Sequence, residues 1–142
     1  MKVNDIMTHR ASYVTAQASL SEAARVMRMD GVTYLPVCDL NRVVGAVTDR
    51  DIVIRGLAEG YNPDETSVRA VMSADVATVY VDEDVRNVAI LMDKKLLRRL
   101  PVLNRNERLV GVVSDGDLAR SKFQQTDGHF SGEFGGAMPH AV

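Results

Sequence analysis

The chain has 142 residues, 46% hydrophobic and 25% charged, which is enough to bury a core. A net charge of −2 excludes the basic footprint of a nucleic-acid binder, and Cys38, the sole cysteine, excludes an intrachain disulfide. No apolar stretch approaches membrane-spanning length and Met1-Lys2-Val3-Asn4-Asp5 opens without an apolar signal segment, so the expected location is the cytoplasm, away from membranes.

In chain order, a short turn at Ile6-Met7-Thr8 leads into a strand near Tyr13-Val14-Thr15. Ser19 followed three residues later by Glu22 marks a helix start, and Leu20, Ala23, Ala24 and Met27 recur at helical spacing. Two strands are expected over Tyr34–Cys38 and Val43–Thr48, and a closing helix from about Asp49. Residues 58–67 are polar and carry Gly60 and Pro63, the composition of a linker.

The same order then returns. Thr78-Val79-Tyr80 reads as a strand, and Asp82 or Asp84 caps a helix that buries Val85, Val88, Ala89 and Met92. Strands follow over Arg99–Leu103 and Leu109–Ser114, then a helix from about Asp115. Beyond Arg120 the glycines 128, 132, 135 and 136 sit among polar residues, which reads as a loose tail or one ordered by docking on a partner. Met27, Met29 and Met92 read as filling for a helix core or interface.

The recurrence extends to the residues themselves. Val3-Asn4-Asp5-Ile6-Met7-Thr8 is matched by Val68-Arg69-Ala70-Val71-Met72-Ser73, and Tyr34-Leu35-Pro36-Val37 by Arg99-Leu100-Pro101-Val102. Gly45-Ala46-Val47-Thr48-Asp49-Arg50-Asp51 is matched by Gly111-Val112-Val113-Ser114-Asp115-Gly116-Asp117, one residue further along. The predicted fold is therefore α+β, a β-α-β-β-α unit used twice. Two copies are expected to pack about a pseudo-twofold axis and leave paired clefts between them. The expected division is 1–59 for the first repeat, 60–67 for the linker, 68–122 for the second repeat and 123–142 for the tail.

The doubled Leu-Pro-Val strand and the doubled Gly-x-x-(Ser/Thr)-x-x-Asp run resemble the cystathionine-β-synthase (CBS) domain in its tandem form, the Bateman module, over about residues 3–122. The stretch 48–60 is similar to bacterial CBS-pair proteins that stand alone and are linked to stress responses. The resemblance implies a disc-like homodimer of pairs whose clefts bind adenosine nucleotides and which regulates a further protein. It implies no obligatory cofactor; the regulatory ligand would be AMP, ADP, ATP or S-adenosylmethionine.

Within that frame the candidate ligand residues are Thr48, Asp51, Arg99, Ser114 and Asp117, with Arg50 and Tyr34 beside them. Thr48-x-x-Asp51 and Ser114-x-x-Asp117 fit a plain helix cap, with the hydroxyl on a backbone N–H and the acid against the dipole. They fit equally a ribose-binding carboxylate beside a phosphate-binding helix start. A capping box favours Glu or Gln at that fourth position, Asp being one methylene shorter. Arg99 offers a planar fork for phosphate, or is one of a basic group with Lys94, Lys95 and Arg98 at a helix end. Thr33 and Tyr34 replace Arg98 and Arg99 in the first copy, so the two clefts are expected to differ in charge. Arg50 is read as solvent-exposed before it is read as a phosphate contact. Gly45 and Gly111, inside strands, mark close approach by a ligand or by another strand.

No nucleophile-base order, Walker loop or metal-ligand spacing is present, so an enzyme is not expected. His9, His129, His140 and Cys38 are too scattered for more than an opportunistic metal site. The alternative to a nucleotide sensor is a CBS-pair scaffold whose clefts hold no ligand.

Overall fold

The computed structural model describes residues 1–125. It contains eight strands and three α-helices. In chain order these are β1 (Thr8–His9), β2 (Val14–Thr15), α1 (Leu20–Asp30), β3 (Tyr34–Asp39), β4 (Arg42–Thr48), β5 (Ser73–Ala74), β6 (Val79–Tyr80), α2 (Val85–Lys95), β7 (Arg99–Leu103), β8 (Leu109–Ser114) and α3 (Asp115–Gln125). The α+β class and the doubled order expected from the residues are observed. His129, His140 and the rest of the expected glycine-rich tail lie outside the described residues.

The chain forms two compact units that are cut differently from the sequence repeats. The first unit is Ala11–Val76; the second joins Met1–Arg10 to the described residues from Ala77 on. In the first unit the sheet order is β2-β3-β4-β5, and in the second it is β1-β8-β7-β6. Each repeat thus gives its opening segment to the other repeat's sheet. β1 pairs antiparallel with β8, Thr8 opposite Val112 and His9 opposite Gly111. β5 pairs with β4 in the same way, Gly45 opposite Ala74. The sequence glycines follow from this exchange: a Cβ at Gly45 would lie 2.4 Å from the Ser73 carbonyl oxygen, and one at Gly111 2.4 Å from that of Thr8. The close approach is by backbone.

Each opening segment also supplies core. Val68, Val71 and Met72 pack with Leu20, Leu35, Val37 and Val47 in the first unit. Val3 and Met7 pack with Val88, Leu100, Val102 and Val113 in the second. A 3₁₀ turn, Val3–Asp5 or Val68–Ala70, leads into each strand.

The helices start and stop where local chemistry directs. Ser19 Oγ accepts the Glu22 N–H at 3.0 Å to open α1, and Gly31, at φ 66°, closes it. Leu20, Ala23 and Met27 are buried, but Ala24 is exposed. Val26 packs against the core instead, because the sheet lies on its side of the stripe. Met29 is 77% exposed, so it fills no core. Asp84, one of the two expected caps, opens α2 by accepting the Arg86 N–H.

The closing helices differ between repeats. After Thr48 the chain forms a π-helix, Asp51–Gly56, and then a 3₁₀ turn, Leu57–Glu59, whereas Ser114 is followed by the regular α3. The Leu57 N–H reaches both Ile52 O and Val53 O. Three consecutive β-branched residues, Ile52-Val53-Ile54, and Gly56 lower α-helical preference there; Asp117-Leu118-Ala119-Arg120 carries no such run.

Candidate functional site

In each unit two antiparallel strands end beside a helix start, and the register decides which side chains meet. Tyr34 lies directly across from Thr48 in the first unit. Arg99 lies directly across from Ser114 in the second. Opposed residues share a face of the sheet. Thr33 O and Arg98 O then accept the N–H groups of Asp49 and Asp115, at 3.1 and 2.8 Å, which fixes each helix start against the strand end. Two matching corners result, Tyr34–Thr48–Asp51 and Arg99–Ser114–Asp117.

The hydroxyl-acid runs form complete capping boxes. The Asp51 N–H donates to Thr48 Oγ1 at 3.2 Å, and the Thr48 N–H donates to Asp51 Oδ2 at 2.9 Å. The Asp117 N–H donates to Ser114 Oγ at 3.1 Å, and the Ser114 N–H to Asp117 Oδ2 at 2.9 Å. The shorter aspartate does reach back, contrary to the expectation from its length. One turn of tight backbone brings the two ends close enough to remove the need for the extra methylene.

The second carboxylate oxygen distinguishes the corners. Asp117 Oδ1 accepts from the Arg120 guanidinium, and the side chain is 8% exposed. Asp51 Oδ1 pairs with Arg55 at the longer distance of 3.9 Å, and its side chain is 18% exposed. Neither arginine was singled out from the sequence, although spacings of three and four along a helix put them on the aspartates' face. The basic group is also divided. Arg98 lies outside β7 and bonds Asp115 through Nε at 3.1 Å, while Arg99 is in the strand and half-buried. Arg50 is exposed at the first helical turn.

Other chemistry is sparse. Burial raises the Cys38 thiol pKa, away from a reactive thiolate. Among the described residues no group of three His, Cys, Asp or Glu side chains is placed to hold a metal ion. A cavity of about 470 Å³ in the second unit is lined by Val85, Ala89, Ile90 and Leu118 among others, and by none of the residues at the two corners. No helix among the described residues is long and apolar enough to cross a membrane.

Comparison with known proteins identifies the family. The CBS domain model matches twice, over residues 3–57 and 68–123. Hypoxic response protein 1 of Mycobacterium tuberculosis is 35% identical over 117 residues, 82% of this chain and 81% of that protein. A crystal structure of Hypoxic Response Protein I with two coordinated zinc ions is similar at a TM-score of 0.76 and 34% identity, covering 84% of this chain and 98% of that one. The CBS domain pair of protein MJ0100, in complex with 5′-methylthioadenosine and S-adenosyl-L-methionine, aligns at a TM-score of 0.74 and 28% identity, over 88% and 98% of the two chains. CBSX2 in complex with AMP aligns at 0.74 and 27% identity, again over 88% and 98%. With both repeats matched and the fold shared, this chain belongs to the CBS domain family as a tandem pair.

Proposed function

We propose that this CBS pair is a regulatory module that binds an adenosine-containing nucleotide and reports its occupancy to a partner protein. The observation that carries the reading is the twofold corner: a hydroxyl and an aspartate at a helix start, set opposite Tyr34 in one unit and Arg99 in the other. Adenine would lie against apolar strand residues, ribose hydroxyls would meet Asp51 or Asp117, and phosphate would meet Arg99 with Thr48 or Ser114. Solved relatives that hold AMP, S-adenosylmethionine or methylthioadenosine support the ligand class. The module acts as a homodimer in the cytoplasm, and occupancy shifts its conformational population only as far as the ligand prefers one state.

A ligand-free scaffold is the second reading, and the capping boxes favour it. Each aspartate already spends one oxygen on a backbone N–H, and Asp117 spends the other on Arg120. Titration calorimetry with AMP, ADP, ATP and S-adenosylmethionine, paired with thermal melts, separates the two. A nucleotide at 100 times its Kd should add about 2.7 kcal/mol of stability. No heat and no shift with any of the four would leave the scaffold.

If one nucleotide binds, Arg99→Ala should weaken AMP and ATP about tenfold or more while sparing adenosine, as expected for a charge-assisted phosphate contact. Equal loss for all three, read by the same calorimetry, would remove the phosphate role.

A further inference from the structure

In the first unit the chain that leaves the closing helix comes back over the start of α1. The Leu20 N–H donates to Thr66 O at 3.0 Å, and the Ser21 N–H to Pro63 O at 3.1 Å. Ser21 Oγ donates to Asp64 Oδ1 at 2.5 Å. The stretch after Glu59 is thus a cover on the first turn of α1.

The start of α2 repeats half of this arrangement. Leu20, Ser21 and Thr66 correspond to Val85, Arg86 and Met1 at a shift of 65. The Val85 N–H donates to Met1 O at 3.0 Å, as Leu20 does to Thr66, but the Arg86 N–H goes to Asp84 Oδ1 at 2.8 Å. Beside Arg86, the counterpart of Ser21, lies the cavity of about 470 Å³, which Met1, Ala89, Ile90, Leu118 and Ser121 also line. Two changes between the repeats open it and strip its charge: Arg25 becomes Ile90, and Arg55 becomes Ser121. Ile90 is 62% exposed.

The stretch after α3 changes in the same sense. Gln125 follows Asp117 by eight residues, as Glu59 follows Asp51; thirteen residues after the two aspartates stand Phe130 and Asp64. Gln125 is also one turn beyond Ser121, at the edge of the cavity. The cavity has lost two arginines, and the position that meets a serine hydroxyl in the first repeat has exchanged an acid for an aromatic ring. The two changes are complementary.

We propose that residues 126–134 return onto the second unit and seat Phe130 in this cavity, against Ala89, Ile90 and Leu118. Burial of the ring and of the exposed isoleucine drives the docking. The segment then covers the face between α2 and α3, and whatever else docks there has to displace it. The inference goes beyond the nucleotide reading, since no residue of the two corners lines the cavity.

The test uses the full chain, ¹⁵N-labelled, with Cys38→Ala and Ser131→Cys carrying a nitroxide. Amides of residues 85–90 and 118–121 should broaden, and those of residues 20–25 should not. Phe130→Ser, or Ile90→Asp at its exposed position, should remove at least half of that broadening, and Phe130→Leu should keep it. Phe130→Ser should also lower the melting temperature by about 3 °C, and should change nothing further in an Ile90→Asp background. Broadening that survives Phe130→Ser, or equal losses from that substitution in both backgrounds, would overturn the proposal. So would broadening seen only between chains, when nitroxide-bearing ¹⁴N chains are mixed with ¹⁵N chains that carry none, because a second copy would then be the occupant. A chain that meets each expectation yet binds no nucleotide would sink the sensor reading and leave this one standing.

Discussion

At the scale of single residues, Asp51 and Asp117 occupy equivalent places and carry different loads. Asp117 closes its capping box, receives Arg120 and is nearly buried, so removing its carboxylate strands the Ser114 N–H and leaves the arginine without its partner. Asp117→Ala should therefore cost about 1–3 kcal/mol of stability, read from thermal or denaturant unfolding, whether or not a nucleotide is present. A wild-type melting curve for that variant would contradict the structural part of its role. Asp84 gives the pH-dependent counterpart. The Arg86 guanidinium, and then the Arg86 backbone N–H, hold its pKa well below the ordinary carboxylate range. A folded-state pKa depressed in this way contributes stability that is fully present above the unfolded value, about 3.9, and fades as pH falls below it. The melting temperature should accordingly drop on acidification below about pH 4, and the drop should be shallower in Asp84→Asn. Exposure keeps the effect small.

At the scale of elements, the two strand glycines answer to the exchanged segments. Gly45→Ala and Gly111→Ala should each cost about 1–3 kcal/mol by overpacking against a carbonyl oxygen that the backbone holds in place. Melts of the two variants measure this, and a neutral result at either site would mean that β1 or β5 can lift away. The same elements show what was legible beforehand. α1, α2 and the four long strands followed from Ser19, Asp84, the apolar spacing and the doubled Leu-Pro-Val, because each of these signals is local. β1 and β5 did not, since two residues carry no period and their pairing is decided by a partner strand far along the chain. The π-helix was hidden for a related reason: Ile52-Val53-Ile54 announces reduced α preference without saying what replaces it. At the candidate site, the sequence named the hydroxyl-acid pairs but not their reciprocity, which depends on how tightly the turn is drawn. Arg120 and Arg55 stand at readable spacings from the aspartates, but such spacings fit ordinary helix-surface charges as well.

At the scale of the whole molecule, the repeats cannot be separated by cutting between them. Residues 1–62 would keep β2, β3 and β4 but lose Val68, Val71 and Met72 from their core; residues 63–142 would lose Val3 and Met7. Each fragment alone should lack cooperative melting by circular dichroism, and the mixture should recover it. A fragment that folds by itself would show that the exchange is dispensable. Neither copy is complete by itself, because each sheet and core takes in the opening segment of the other repeat.

The brevity of β1 has a practical corollary. Thr8 and His9, with the Arg10 N–H on Val110 O at 3.2 Å, sheathe the open flank of β8, whose amides and carbonyls would otherwise template another chain. Shortening the protein from its front by ten residues would bare that flank. Such a product should come out of expression sticky and polymerising, and mistaking it for a natural oligomer would be easy.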